Sequence, residues 1–325
     1  MKAVLCRAWG APESLSVEEV ASPAAGKGQL VVSVRACGVN FPDALIVQGK
    51  YQVKPPFPFS PGSECAGVVK ETGEGVSGFK RGDAVIAFTG HGGFAEEVVV
   101  EAANAVPMPA GMDVNVASSF VLTYATTHHA LKDVARLQAG ETMLVLGAAG
   151  GTGLAAVELG KLSGARVIAA ASSEEKLATC RKAGADHLIN YEKDDLRDAL
   201  RAVTGSQGVD VVYDPVGGRF AEPALRATGW QGRYLVIGFA SGDIPRLPLN
   251  LPLLMERKIL GVFWGGWTSR NPEANRANIL ELAAWITSGR LKPYISATYP
   301  LERAAEALRD LMDRKVQGKA VIVTG

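Results

Sequence analysis

The sequence predicts an α/β protein in which a β-rich first domain is followed by a doubly wound parallel sheet, and three observations predict it. Residues 144–161, LVLGAAGGTGLAAVELGK, run from an apolar strand through a glycine turn into a helix, and a second apolar run at 165–171 follows where a βαβ unit would place it. From about residue 119 onward, apolar runs alternate with helical stretches, the pattern of parallel strands buried on both faces. The first 118 or so residues are instead rich in glycine, proline and short β-type runs.

In the first segment, LVVSVR (30–35), AGVVK (66–70) and AVIA (84–87) read as strands. In the second, the apolar runs at 143–147, 167–171, 209–213 and 234–237 supply the sheet. After ILGVFWG (259–265), a helix at 274–288 and a strand at 320–324 close the chain. The expected division is a substrate domain over 1–118, completed by about 260–325, and a nucleotide domain over 119–259. No repeat or low-complexity segment interrupts it.

The glycine turn carries the chemistry. A strand that turns sharply into a helix presents free backbone N–H groups and the positive end of the helix dipole to an anion, the arrangement that holds a dinucleotide pyrophosphate. Gly147, Gly150 and Gly153 are spaced for a tight turn, close phosphate approach and helix packing, and Gly151 and Thr152 open the helix between them. An NAD site would place an acid near the end of the second strand to bind the ribose 2′-hydroxyl, and this acid would repel a 2′-phosphate. Here that end reads AAASSEEK (169–176), with Ala171 at the acid's place and Ser172, Ser173 and Lys176 following. Hydroxyls and a cation favour NADPH. The same residues fit a second purpose, since Ser172 and Glu175 have the spacing of a helix capping box.

Composition narrows the remaining classes. Lys and Arg number 34 against 33 Asp and Glu, a net charge of +1 with no basic run, which gives no electrostatic basis for nucleic-acid binding. No apolar run approaches the roughly 20 residues of a membrane span, and the first ten residues lack a signal peptide's apolar core, so a cytoplasmic protein is expected. Cys6, Cys37, Cys65 and Cys180 are scattered without a CxxC pair, and buried thiols are expected rather than disulfides or a structural zinc site. His91, His128, His129 and His187 show no i, i+4 pair of the metal-binding kind.

Several ordered motifs give the chain a family resemblance. ACGVNFPD (36–43), GKY (49–51), FSPGSECAGV (59–68), LTYATT (122–127), the glycine turn, INY (189–191), VYDPVGG (212–218) and VIGFA (236–240) together resemble the zinc-free quinone oxidoreductase branch of the medium-chain dehydrogenase/reductase superfamily. The turn departs from GxGxxG in carrying Ala148 where the first glycine would be. The resemblance implies a GroES-like β-rich catalytic domain, a Rossmann cofactor domain and a substrate cleft between them. It also implies a homodimer joined through sheet edges, with 258–263 (KILGVF) near such an edge. The zinc enzymes of the superfamily carry a Cys and a His where this chain has Asn40 and Ser63, neither a usual zinc ligand.

The resemblance also assigns residues. Asn40 and Asp43 match positions bordering the nicotinamide, and Tyr51 matches a tyrosine assigned as proton donor in related enoyl-thioester reductases. Tyr124 and Thr126 match the segment that meets the nicotinamide. Gly238, Phe239, Phe263 and Gly265, with Trp264, match walls around its carboxamide, and Tyr191 matches a residue against the adenosine and 2′-phosphate. The expected activity is metal-independent hydride transfer from NADPH to a quinone. Reduction of an activated C=C bond in an enone, acrylate derivative or enoyl thioester is the enzymatic alternative, and a nucleotide-binding protein with vestigial catalysis is the alternative of another class.

Overall fold

A computed structural model describes residues 1–324. The chain forms two compact units: the first contains Met1–Leu122, Ile279–Gly289 and the chain from Pro293 onward, the second Thr123–Asn278 and Arg290–Lys292.

The first unit is built on a seven-stranded sheet. Its path runs Ile295–Pro300, Lys319–Val323, Gln29–Val39, Glu64–Thr72, Ala84–Phe88 and Ala105–Pro107, and Glu97–Glu101 pairs separately with Gln29–Val39. Gln29–Val39 is long and almost wholly buried, because valines, Leu30, Ala36 and Cys37 fill the core around it. Its antiparallel partners fix the register that matters for function: Ala320 lies opposite Val39, while Gly38 faces Glu64 and Cys37 faces Cys65. The last strand of the chain thereby delivers Lys319 to the place where Gln29–Val39 ends and the helix Phe41–Val47 begins. All four cysteines are buried free thiols.

The second unit carries a six-stranded sheet in the order His187–Asn190, Arg166–Ala171, Thr142–Leu146, Val209–Asp214, Thr228–Val236, Lys258–Gly261. Every pairing is parallel. Numbered within the unit, this is the doubly wound order 3-2-1-4-5-6, whose direction of winding reverses between Thr142–Leu146 and Val209–Asp214. Ligands of such sheets bind at the carboxyl ends of the strands flanking that reversal, where the glycine turn lies.

Two expectations are corrected. Residues 119–122 group with the first unit, and residues 260–278 with the second rather than the first. The second shift has a plain cause: Lys258–Gly261 pairs with Arg233–Val236 and so extends the parallel sheet. The fifth strand also starts earlier than its apolar run, at Thr228, since exposed Trp230 and Gln231 interrupt the hydrophobic pattern.

Candidate functional site

The glycine turn has the shape of an anion cradle. Gly147 takes a positive φ of 56°, and a Cβ there would lie 2.7 Å from Val216 Cγ2. The helix Gly151–Leu162 follows with Gly150 at its N-cap and no side chain capping it, so its first N–H groups are left for a ligand or water. At Gly153 a Cβ would stand 2.3 Å from the Gly147 carbonyl oxygen and 2.8 Å from the Ala148 backbone. Gly150 differs, because the nearest atom to a Cβ there is 3.4 Å away. The protein's own packing therefore demands glycine at 153 but not at 150, where the open backbone faces the space an anion would use. Ala148 is buried and donates its N–H to Ala170 O at 3.0 Å, which ties the turn to the neighbouring strand.

At the end of Arg166–Ala171, Ser172 and Ser173 divide the two purposes the sequence left open. Ser173 is the N-cap of the helix Glu174–Lys182, accepting from the Lys176 N–H at 3.3 Å. Ser172 instead accepts from Lys176 Nζ at 3.1 Å. The capping box expected of Ser172 and Glu175 does not form, because the helix starts one residue later than that spacing requires. Lys176 is half-buried and has no carboxylate partner among the described residues. Glu174 is turned away, toward Asn190 Nδ2 at 2.9 Å and Lys193 Nζ at 3.1 Å. Tyr191 donates its N–H to Ala171 O at 3.2 Å and rests its ring on Phe220, centroids 4.3 Å apart. Ser172, Lys176 and Tyr191 are thus brought together at one strand end.

The rest of the expected nicotinamide side is mixed. Tyr124 is buried and donates its phenol to Glu158 Oε2 at 2.8 Å, and burial pushes the Glu158 carboxyl above its usual range. Thr126 is half-buried, while Thr127 Oγ1 lies 2.7 Å from Tyr213 OH. Asp214, which the sequence reading quoted only within its motif, shapes the loop beside the turn. Its carboxylate accepts from Val216 N–H at 2.7 Å, from Gly217 N–H at 2.8 Å and from the Tyr234 hydroxyl. Val216, held this way, occupies the space that Gly147 leaves open. Gly238 and exposed Phe239 lie on the adjoining loop, which Ala240 ties to Pro215 O at 3.0 Å. Phe263 is exposed and precedes the short helix Trp264–Thr268 that contains Gly265. Trp264 itself is only 5% exposed, with its indole N–H on Asn275 Oδ1 at 3.1 Å. His128 and His129 are buried helical residues, and His129 stacks on Trp267 and pairs with Asp133 at 2.8 Å.

In the first unit, the polar residues around the start of Phe41–Val47 form one buried network. Asp43, 0% exposed, accepts from the Asn40 N–H at 2.8 Å and from the Ser63 hydroxyl. Burial pushes its carboxyl up to about 6, against the downward pull of those two hydrogen bonds. The Asn40 side chain donates to Glu64 Oε1 at 2.8 Å and accepts from Lys319 Nζ. Lys319 also donates to Val39 O at 3.0 Å and to Glu64 Oε1 at 3.1 Å. Tyr51 packs half-buried against the same core, where burial and then the charge of Asp43 raise its phenol's pKa. Sequence reasoning placed Asn40, Asp43 and Tyr51 together but missed Lys319 and Glu64, which only sheet register joins to them.

Comparison with known proteins fixes the family. The description "Alcohol dehydrogenase GroES-like domain" matches residues 26–110, and "Zinc-binding dehydrogenase" matches residues 151–283. The chain is 37% identical to the quinone oxidoreductase-like protein 2 homolog of Nematostella vectensis, over 99% of this chain and 89% of that protein. It is 35% identical to the quinone oxidoreductase of Rattus norvegicus, over 96% and 94% respectively. The chain belongs to the quinone oxidoreductase branch of the medium-chain dehydrogenase/reductase superfamily. Among solved structures, Escherichia coli quinone oxidoreductase complexed with NADPH superimposes with a TM-score of 0.94 at 29% identity, covering 99% of this chain and 100% of that one. The architecture is accordingly a GroES-like domain with a Rossmann-type parallel-sheet domain.

The second family description raises the question of zinc, and this quinone oxidoreductase-branch chain answers it with its donor set. Asn40 offers an amide oxygen already facing an ammonium, and Ser63 a hydroxyl already donating to Asp43. Among the described residues, no group of three or more His, Cys, Asp or Glu is arranged to hold a metal ion. These residues do not fit Zn²⁺. Also among the described residues, no helix is long and apolar enough to cross a membrane.

Proposed function

We propose that this chain is an NADPH-dependent, zinc-independent oxidoreductase that delivers hydride to a quinone. The observation that carries this reading is the half-buried Lys176 ammonium, held on Ser172 without a carboxylate partner among the described residues, at the strand end where an NAD site would carry an acid. NADPH, when bound, supplies the hydride. The N–H groups of Gly151, Thr152 and Gly153 would receive the pyrophosphate beside the open backbone of Gly150, whose own N–H donates to Gly147 O at 3.0 Å, with Ser172, Ser173 and Lys176 receiving the 2′-phosphate and Tyr191 the adenosine. Tyr124, Thr126, Gly238, Phe239, Phe263 and Gly265 are proposed on the nicotinamide side, with Tyr124 acting through its backbone because its phenol is bonded to Glu158. An electron-poor acceptor needs no Lewis acid to take hydride, which suits a site without zinc ligands. A screen of NADPH oxidation against quinones, alkenals, acrylates and enoyl thioesters, run with and without a chelator, tests the reading. Turnover with quinones that survives chelation is expected; stoichiometric bound zinc whose removal abolishes activity would overturn it.

Reduction of an activated C=C bond is the second reading, and Tyr51 is the observation that favours it. Burial and the nearby Asp43 charge disfavour its phenolate, so at neutral pH the phenol keeps the proton that saturation of carbon requires.

Lys176→Ala should weaken NADPH binding by about 1–3 kcal/mol, the range for hydrogen bonds to charged groups, and leave NADH binding unchanged. Dissociation constants for both nucleotides measure this. An unchanged NADPH/NADH ratio would mean that Lys176 serves only its helix.

We further propose a homodimer formed through the second unit's sheet edge. Lys258–Gly261 is the terminal strand of its sheet, and Leu253 and Leu254 on the preceding helix are 77% and 67% exposed, with Phe263 at 65%. An apolar edge of this kind invites pairing. Sedimentation at micromolar concentration should give twice the chain's mass of 34.1 kDa, and a monomer would contradict the proposal.

A further inference from the structure

We propose that Lys319 is a positioning residue for hydride transfer, acting through Glu64 and Asn40 to fix the backbone where the chain enters the nicotinamide-side segment. The inference rests on the oxidoreductase reading above. Lys319 is 3% exposed and Glu64 is fully buried, a pairing whose desolvation offsets much or all of its attraction, so stability alone does not account for it. What the pair does specify is direction. One Glu64 oxygen receives Lys319 Nζ and Asn40 Nδ2, and the other accepts from the Leu122 N–H at 2.9 Å.

Leu122 lies within Val121–Ala125, a π-helical turn, a rare conformation that clusters at functional sites. It is the last residue of its unit in this part of the chain, and Thr123, Tyr124 and Thr126 follow directly. A second tie supports the same approach, since the Gly38 N–H donates to Ser118 O at 2.9 Å. Lys319 also contacts Val39 O and the Asn40 amide, the two residues preceding the helix that carries Asp43. One ammonium therefore orients both the Asp43 helix start and, through Glu64, the Leu122 backbone that precedes residues 123–126 in the chain. Replacing it with an apolar side chain leaves Glu64 buried without its cation and frees its grip on Leu122.

The test uses the full-length protein with Lys319→Met, Lys319→Arg and Glu64→Gln, measuring steady-state kinetics, NADPH affinity and amide hydrogen exchange. Lys319→Met is expected to lower kcat by about tenfold or more with NADPH affinity held within about threefold, whereas Lys319→Arg, which keeps the cation, retains most of kcat. Exchange in a peptide covering 119–127 should accelerate by about tenfold or more in Lys319→Met, with 144–154 unchanged. A folded Lys319→Met protein with parental kcat and parental exchange at 119–127 overturns the proposal, as does a loss of kcat matched by an equal loss of NADPH affinity. If Lys319→Met does not fold, Glu64→Gln must show the accelerated exchange at 119–127, and its absence overturns the proposal. A parent protein that fails to oxidise NADPH with any quinone, alkenal, acrylate or enoyl thioester refutes the oxidoreductase reading, and the exchange measurement then decides the role of Lys319 separately.

Discussion

Gly153→Ala is expected to cost NADPH affinity about a hundredfold, because one methyl group must displace the helix that receives the pyrophosphate. The Cβ would stand 2.3 Å from the Gly147 carbonyl oxygen and 2.8 Å from Ala148 backbone atoms, none of which belongs to a flexible side chain. The helix must therefore move off its own turn, and overpacking of this kind costs about 1–3 kcal/mol of fold stability as well. Gly150→Ala separates the two effects. The protein leaves 3.4 Å there, so the melting temperature should stay near the parent's while nucleotide affinity falls, because the methyl group occupies the side from which the phosphate approaches. Thermal melts and fluorescence titration with NADPH check both variants. A Gly153→Ala protein with parental affinity would remove the turn from the binding site.

The same turn explains how much of this protein was legible in its sequence. Its strand, glycines and helix lie within eighteen consecutive residues, and local spacing carries the whole geometry. The parallel sheet was equally readable, since strands buried on both faces leave unbroken apolar runs. Boundaries were less so. Ser172 and Ser173 are both competent N-caps, and only the backbone shows that the second caps the helix and the first holds Lys176. Trp264 could not be assigned from its type, because an aromatic ring serves a core as readily as a ligand wall; in the structure it is buried, with its indole N–H on Asn275.

The first-unit network was the least visible part. Lys319 and Asn40 are 279 positions apart in the chain, and they meet because the last strand pairs antiparallel with Gln29–Val39 in a register that no local pattern encodes. A lysine opening an apolar terminal strand reads as a solvated end, yet here it is among the more deeply buried cations of its unit. Zinc-type comparison drew attention to Asn40 and Ser63 for what they cannot bind. The structure shows what they bind instead, an ammonium and a carboxylate.

Tyr51→Phe is expected to divide the two enzymatic readings by the size of its effect. The substitution keeps the ring against the first unit's core and removes only the hydroxyl, so fold stability should change little. Hydroquinone oxygens take protons from water or any nearby donor, and quinone turnover should therefore lose less than about tenfold in kcat. Saturating a C=C bond requires a proton delivered to carbon, where a positioned acid contributes about 10²- to 10⁴-fold. The phenol is suited to that delivery at neutral pH, since burial and the Asp43 charge both raise its pKa and hold the proton on oxygen. Parallel measurement of parent and variant on a quinone and on an enone or enoyl thioester gives the answer. If the parent barely reduces quinones, reduces the alkene quickly, and loses most of that kcat in Tyr51→Phe, then the protein is an alkene reductase and the quinone reading fails.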